Sequence, residues 1–220
     1  MKEKRFLAAT LLLCTFVIWT ACIKVIDVEA VGPLGSEVGF ASLNIWFHQL
    51  SGVHMTLYTI TDWLGLVPVA VCMLFAAMGM IQWVRRGRLR QVDYDILLLG
   101  VYYIIVIAGY LLFEMIPVNY RPIFIEGRLE ASYPSSTTLL VLSVMPTLVF
   151  QANRRLQHPA IKNTIAACAT AFMIFMVAGR LVSGVHWLTD IVGGALLSAG
   201  LFYLYKGGVS SWNFTKNCKS

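Results

Sequence analysis

Residues 64–116 read LGLVPVAVCMLFAAMGMIQWVRRGRLRQVDYDILLLGVYYIIVIAGYLLFEMI, and this stretch decides the fold. Two apolar runs, 64–84 and 95–116, flank a basic knot that contains Arg85, Arg86, Arg88 and Arg90. Crossing the hydrocarbon core of a bilayer takes about 20 apolar residues per helix, and each run has that length. A short charged connection between them leaves two antiparallel crossings with the arginines on one side. Four more runs repeat the pattern, at about 6–23, 136–152, 163–182 and 187–206. The expected fold is all-α, a single membrane-embedded domain over residues 1–220 built as a bundle of six transmembrane helices. Composition agrees: 58% of residues are hydrophobic and 13% are charged, whereas a soluble domain carries about twice that charge.

The first run follows Lys2, Lys4 and Arg5, as a secretory leader would. No small-x-small cleavage site comes after it, and Trp19 precedes the one lipobox-like stretch, Thr20-Ala21-Cys22, so an uncleaved helix is expected. Of the five cysteines, Cys14, Cys22, Cys72 and Cys168 lie in apolar runs and Cys218 in the tail. That placement suits small apolar fillers rather than a zinc site or a disulfide framework.

With the N-terminus inside, cytoplasmic segments hold Lys2, Lys4, Arg5, Arg85, Arg86, Arg88, Arg90, Arg154, Arg155, Lys162, Lys206, Lys216 and Lys219. Those are 13 of the 17 Lys and Arg residues, and only Lys24, Arg121, Arg128 and Arg180 fall outside. The positive-inside rule then sets the orientation expected in a plasma (cytoplasmic) membrane: both termini cytoplasmic. The net charge of +6 is thus a topological signal that suits anionic inner-leaflet lipids rather than nucleic acid. Among the outer segments, 24–63 is glycine-rich early and amphipathic from Phe40 to Tyr58, which predicts one helix lying in the outer interface. Segment 117–135 is short and holds three prolines.

The outer cations break the charge rule, and charges beside hydrocarbon are costly enough to need a partner or a task. Arg121 precedes Pro122, and Arg180 follows Gly179 at the end of the fifth run. Between them lies Tyr133-Pro134-Ser135-Ser136-Thr137-Thr138. Ser135 is a good N-cap for the helix that follows. The first turn of that helix offers free N–H groups with hydroxyls from Ser136, Thr137 and Thr138, an arrangement suited to an anion. Further on, His186 and Asp190 stand four apart and share a helical face. The carboxylate can fix the imidazole tautomer, leaving the other ring nitrogen to attack or to take a proton. Each piece alone also fits a bland reading, as a helix cap or a self-satisfied polar pair.

In this order and on one membrane face, the pieces resemble the type 2 phosphatidic acid phosphatase superfamily of integral membrane lipid phosphatases. Its signatures are Lys-x6-Arg-Pro, Pro-Ser-Gly-His and Ser-Arg-x5-His-x3-Asp. Here they match Arg121-Pro122, then Pro134-Ser135-Ser136-Thr137, then Gly179-Arg180 with His186 and Asp190. The resemblance implies a six-helix fold with the site at the outer face and no metal or other cofactor. It implies that Arg121, Ser135 and Arg180, with Ser136 and Thr137 beside them, hold the phosphate of a lipid substrate. It also implies that His186 attacks phosphorus to form a phosphohistidine while Asp190 orients it. Phosphoryl transfer does depend chiefly on positioned cations and N–H donors.

The departures are Glu114 at the lysine, Ser136 at the glycine, Thr137 at the histidine and Gly179 at the serine. The histidine of the second signature is the family's general acid, and a threonine hydroxyl is too weak an acid to replace it. Proton transfer of that kind is worth about 10²–10⁴ in rate. Three resolutions stand open: a better leaving group, as in a lipid diphosphate; a replacement acid, with His48 and His54 as the spare outer histidines; or binding of lipid phosphates without turnover. A transporter is the outlying alternative, and no paired broken helices in matching halves support it.

The topology is tested by impermeant thiol labelling of intact cells. A cysteine at Ser36 (Ser36→Cys) is expected to label and one at Gly87 (Gly87→Cys) to stay protected. The reverse pattern would overturn the orientation.

Overall fold

The computed structural model describes residues 2–217. Cys218 and Lys219, named above, lie outside the described residues. The helices are α1 (Lys2–Val25), α2 (Ala41–Ser51), α3 (Met55–Leu64), α4 (Leu66–Arg86), α5 (Tyr94–Met115), α6 (Ser136–Arg155), α7 (Pro159–Val182) and α8 (Leu188–Asn217). Among the described residues there is no strand longer than an isolated bridge. Six helical stretches are long and apolar enough to cross a membrane, with α3 and α4 together forming one of them from Met55 to Arg86. This is an integral membrane protein, as the six apolar runs predict.

The second span starts earlier than expected. Pro68 lacks the N–H that would bond the Leu64 carbonyl, so the helix is interrupted at Gly65 and not ended there. The Gly65 amide bonds Thr61 and Asp62 carbonyls instead, and α3 runs on into α4. The interfacial helix expected over 40–58 is likewise two helices. Gly52, at φ 68°, ends α2, and His54 donates its amide to the Ser183 carbonyl at 3.0 Å before α3 begins. Glycine at a positive φ is the ordinary way to end a helix. Here the backbone of Gly52 also lies so close to Gly184 that a side chain at 184 would collide with its carbonyl.

The two spans of lowest hydropathy, α6 and α8, are the two in which most residues are buried, while few residues are buried in α1, α4, α5 and α7. Polar residues in an apolar solvent must be satisfied inside the bundle, and that sorts the helices. Tyr102 donates to the Ser143 carbonyl at 2.9 Å, Tyr103 and Thr147 hydroxyls meet at 2.7 Å, and Gln151 donates to the Tyr205 hydroxyl at 2.7 Å. Small residues let α8 approach its neighbours, as in other membrane bundles. Gly193 faces the Tyr133 ring, Gly200 faces Leu13 and Gly207 faces Phe6. At the end carrying the basic knot, Arg155 pairs with Asp93 and Asp95 at 3.0 and 2.9 Å, and Arg86 pairs with Asp93 at 2.8 Å.

Candidate active site

At the other end of the bundle, three connections meet over the N-termini of α6 and α8. Residues 119–131 fold back on themselves, with bridges between Tyr120 and Ala131 and between Ile125 and Arg128. That hairpin sets Arg121 beside Glu130, their side chains 3.1 Å apart at Nε and Oε2. The segment leading into it is tied down by Lys24, whose ammonium donates to the Val118 carbonyl at 2.7 Å. The turn between α7 and α8 is held from α2, where Asn44 donates to the Thr189 hydroxyl at 3.0 Å. It is also held from the hairpin, where the Trp187 indole donates to the Tyr120 carbonyl at 2.7 Å.

Ser135 is the N-cap of α6, as expected: its hydroxyl accepts from the Thr138 amide at 3.5 Å. The amides of Ser136 and Thr137 are the first-turn donors without an intrahelical partner. Asp190, wholly buried, occupies the third position of α8 and accepts from the Trp187 amide at 2.9 Å, so it caps its own helix. Asn119 donates to its other oxygen at 3.4 Å.

His186 is buried too, but its tautomer is fixed differently from the expectation. Nδ1 lies 3.1 Å from the Ser132 carbonyl and 3.7 Å from the Asp190 carboxylate. A carbonyl can only accept, so Nδ1 carries the hydrogen, and Asp190 acts as a nearby charge. Nε2 is left as the bare lone pair, and it has no hydrogen-bond partner among the described residues. Burial, set against the attraction of Asp190, pushes the His186 pKa down to about 4. Arg121 and Arg180 push the same way. The ring is therefore neutral near pH 7 and available as a nucleophile.

His186 lines a cavity of about 180 Å³ together with Arg121, Ser136, Tyr110, Glu114 and Glu130. The Arg121 Nη1 and Nε atoms are buried without a hydrogen bond in the described residues; Nε is near Glu130 but off its N–H axis. Glu114 borders the same cavity, so the sign reversal at that position acts on the site directly.

Arg180 comes from the last turn of α7 and is buried. It donates to the Thr137 hydroxyl and reaches three residues of α3, none of them expected at the site. These are the Tyr58 carbonyl at 3.4 Å, the Thr61 hydroxyl at 3.5 Å and the Asp62 carboxylate at 3.0 Å. Spacing of three and four puts these residues on one helical face. The Tyr58 ring lies against both guanidinium groups, 4.8 Å from Arg180 and 5.9 Å from Arg121. Arg121, Arg180, Ser135–Thr137 and His186 are thus brought together at one end of the bundle. His48 and His54 are not brought to the cavity. The His48 ring sits 3.2 Å from the Gly184 carbonyl and packs on Trp187, and His54 reaches the Ser51 carbonyl at 2.9 Å. Each spends its Nε2 on a backbone oxygen that stabilises a turn. Asp62 had a signal in the sequence: it is the one carboxylate between Glu37 and Asp93, at the head of an apolar run.

A family model for the PAP2 superfamily matches residues 70–213, well over half of the 220 residues. The chain belongs to the PAP2 superfamily. Among solved structures it is similar to the first transmembrane PAP2-type phosphatidylglycerolphosphate phosphatase from Bacillus subtilis. The TM-score is 0.67 at 18% identity, over 92% of this chain and 96% of that one. Likeness at that identity speaks for the fold. A comparison with curated proteins finds no match. PAP2 membership supports lipid phosphatase activity in general.

The depressed His186 pKa has a consequence for stability. An imidazole that titrates near 6.5 when unfolded and near 4 when folded contributes stability fully present above pH 6.5 and lost as pH falls toward 4. Wild-type protein in detergent is expected to lose more melting temperature between pH 7 and 4.5 than His186→Gln does. Equal losses would contradict a buried neutral His186.

Proposed function

We propose that this protein is a lipid phosphate or lipid diphosphate phosphatase that works through a phosphohistidine on His186, with its site at the outer membrane face. The observation that carries the reading is the state of His186. Its Nδ1–H is committed to the Ser132 carbonyl, and its free Nε2 borders a cavity shared with Arg121 and Ser136.

The residues divide the work as follows. The amides of Ser136 and Thr137 and the guanidinium groups of Arg121 and Arg180 bind the phosphate oxygens, a task that suits planar multidentate donors. Nε2 of His186 attacks phosphorus, and the bond to the leaving oxygen breaks. The imidazolium so formed keeps its Nδ1 hydrogen bond and is stabilised by Asp190 at 3.7 Å. Water then attacks the phosphohistidine, releases phosphate and restores the neutral ring. The charge is met by fixed protein groups, so no metal enters the scheme.

A second reading, lipid-phosphate binding without turnover, has two observations in its favour. Both arginines already face carboxylates, Glu130 and Asp62, and Thr137 stands where a stronger acid is expected. Phosphate release from prenyl and glycerol lipid phosphates by purified protein decides between them. Wild type is expected to turn over, His186→Ala to lose all activity, and Asp190→Asn to fold but run about tenfold or more slower. Turnover by His186→Ala would rule out the phosphohistidine route. Binding by wild type with no release from any lipid phosphate or diphosphate would establish the second reading.

A further inference from the structure

Resting on that reading, we infer that Asp62 is the acid that protonates the leaving lipid oxygen, and that the lipid leaves along the groove beside it. The inference starts from a shared atom. Nη2 of Arg180 donates both to the Asp62 carboxylate, at 3.0 Å, and to the Thr137 hydroxyl. Asp62 is therefore a near neighbour of the first turn of α6, where a phosphate binds. Its side chain is 57% exposed while that of Arg180 is 2% exposed. The guanidinium is fixed from behind, and the carboxyl stands at the open edge of the site.

Two hollows meet at Ser136 and Tyr110, which line both. One is the polar cavity holding His186. The other, of about 270 Å³, has Asp62 and Thr137 at its polar end and Val106, Ile107, Leu139 and Leu140 along its walls. Phosphoryl transfer brings the nucleophile and the leaving oxygen into line on opposite sides of phosphorus. A phosphate seated on the Ser136 and Thr137 amides has His186 on the cavity side. Its leaving oxygen then faces the groove, whose apolar walls suit a hydrocarbon chain. Asp62 is the carboxyl on that side.

The proton account closes. In the first half, the lipid phosphate binds as its monoanion and gives its proton to the Asp62 carboxylate, the His186–phosphorus bond forms, the phosphorus–oxygen bond to the lipid breaks, and Asp62 passes that proton to the lipid oxygen. In the second half, water attacks phosphorus, the nitrogen–phosphorus bond breaks, and the water proton passes through the Asp62 carboxylate to the departing phosphate, leaving Asp62 ionised and paired with Arg180 again. One group serves both halves because it is exposed to both the lipid and water. The substrate class follows: a lipid monophosphate whose poor alkoxide leaving group requires this proton.

The test compares leaving groups in the full-length detergent-solubilised protein. Asp62→Asn, which can still bond Arg180, is expected to lower turnover of a diacylglycerol or prenyl monophosphate about 10²–10⁴-fold. The first-turnover burst of nitrophenolate from para-nitrophenyl phosphate, which needs no proton, is expected to fall less than tenfold. Asp62→Glu keeps a carboxyl and is expected to retain more lipid turnover than Asp62→Asn. Adding Thr137→His to Asp62→Asn supplies an acid from the neighbouring position and is expected to restore part of the loss. Equal loss on both substrates would mean that Asp62 only positions Arg180, and unchanged lipid turnover in Asp62→Asn would likewise overturn the assignment. If His186→Ala is inactive while Asp62→Asn is fully active, the acid assignment falls and the phosphohistidine reading stands. If wild type releases phosphate from nothing, both fall.

Discussion

The Asp190 carboxylate, wholly buried where α8 begins, is the interaction on which the active end of the molecule depends. One oxygen takes the Trp187 amide and the other takes Asn119 from the hairpin. Its backbone carbonyl accepts the Ser135 amide at 3.1 Å. One residue therefore joins the α8 start, the α6 start and the loop that carries Arg121. Hydrogen bonds to a charged group are worth about 1.5–3 kcal/mol each, and a buried charge stripped of them costs more. The same carboxylate supplies the negative field next to His186. Structural and chemical roles coincide here, because the cheapest way to satisfy a buried carboxylate is to surround it with the segments that build the site.

The electrostatics of the cradle are unusual for an anion site. Glu130 faces Arg121, Asp62 faces Arg180, and Glu114 borders the cavity. Two buried guanidinium groups in a bundle without such partners would carry a large desolvation cost. The carboxylates offset that cost before any substrate arrives, and Tyr58 lies against both cations. A phosphate must then share the arginines with these carboxylates. Sharing weakens ground-state binding.

Much of this was legible in the sequence because it rests on local rules. Apolar run length marks the spans, and Ser135 before a hydroxyl-rich turn marks a capped helix. The helical face expected to join His186 and Asp190 does not form, because His186 lies in the turn before α8; the turn still brings the two within 3.7 Å. The rest depends on contacts that local rules do not encode. No side-chain pattern reveals that a backbone carbonyl, that of Ser132, holds the His186 ring. The hairpin that sets Glu130 against Arg121 is a tertiary pairing. The α3 face of Tyr58, Thr61 and Asp62 was hidden because 40–58 reads as one amphipathic helix. The break at Gly52 comes from the docking of the His54 amide on Ser183, and it turns that face toward Arg180. For the same reason His48 and His54, polar and outer in sequence, serve turns in the fold.

The measurement that bears most directly on the account is rapid-quench trapping of the enzyme during turnover of a radiolabelled lipid phosphate, followed by mapping of the labelled peptide. The account predicts a label that is lost in acid and kept in alkali, carried by the peptide containing His186 and absent from His186→Ala. An acid-stable label, or a label on any other peptide, would contradict it.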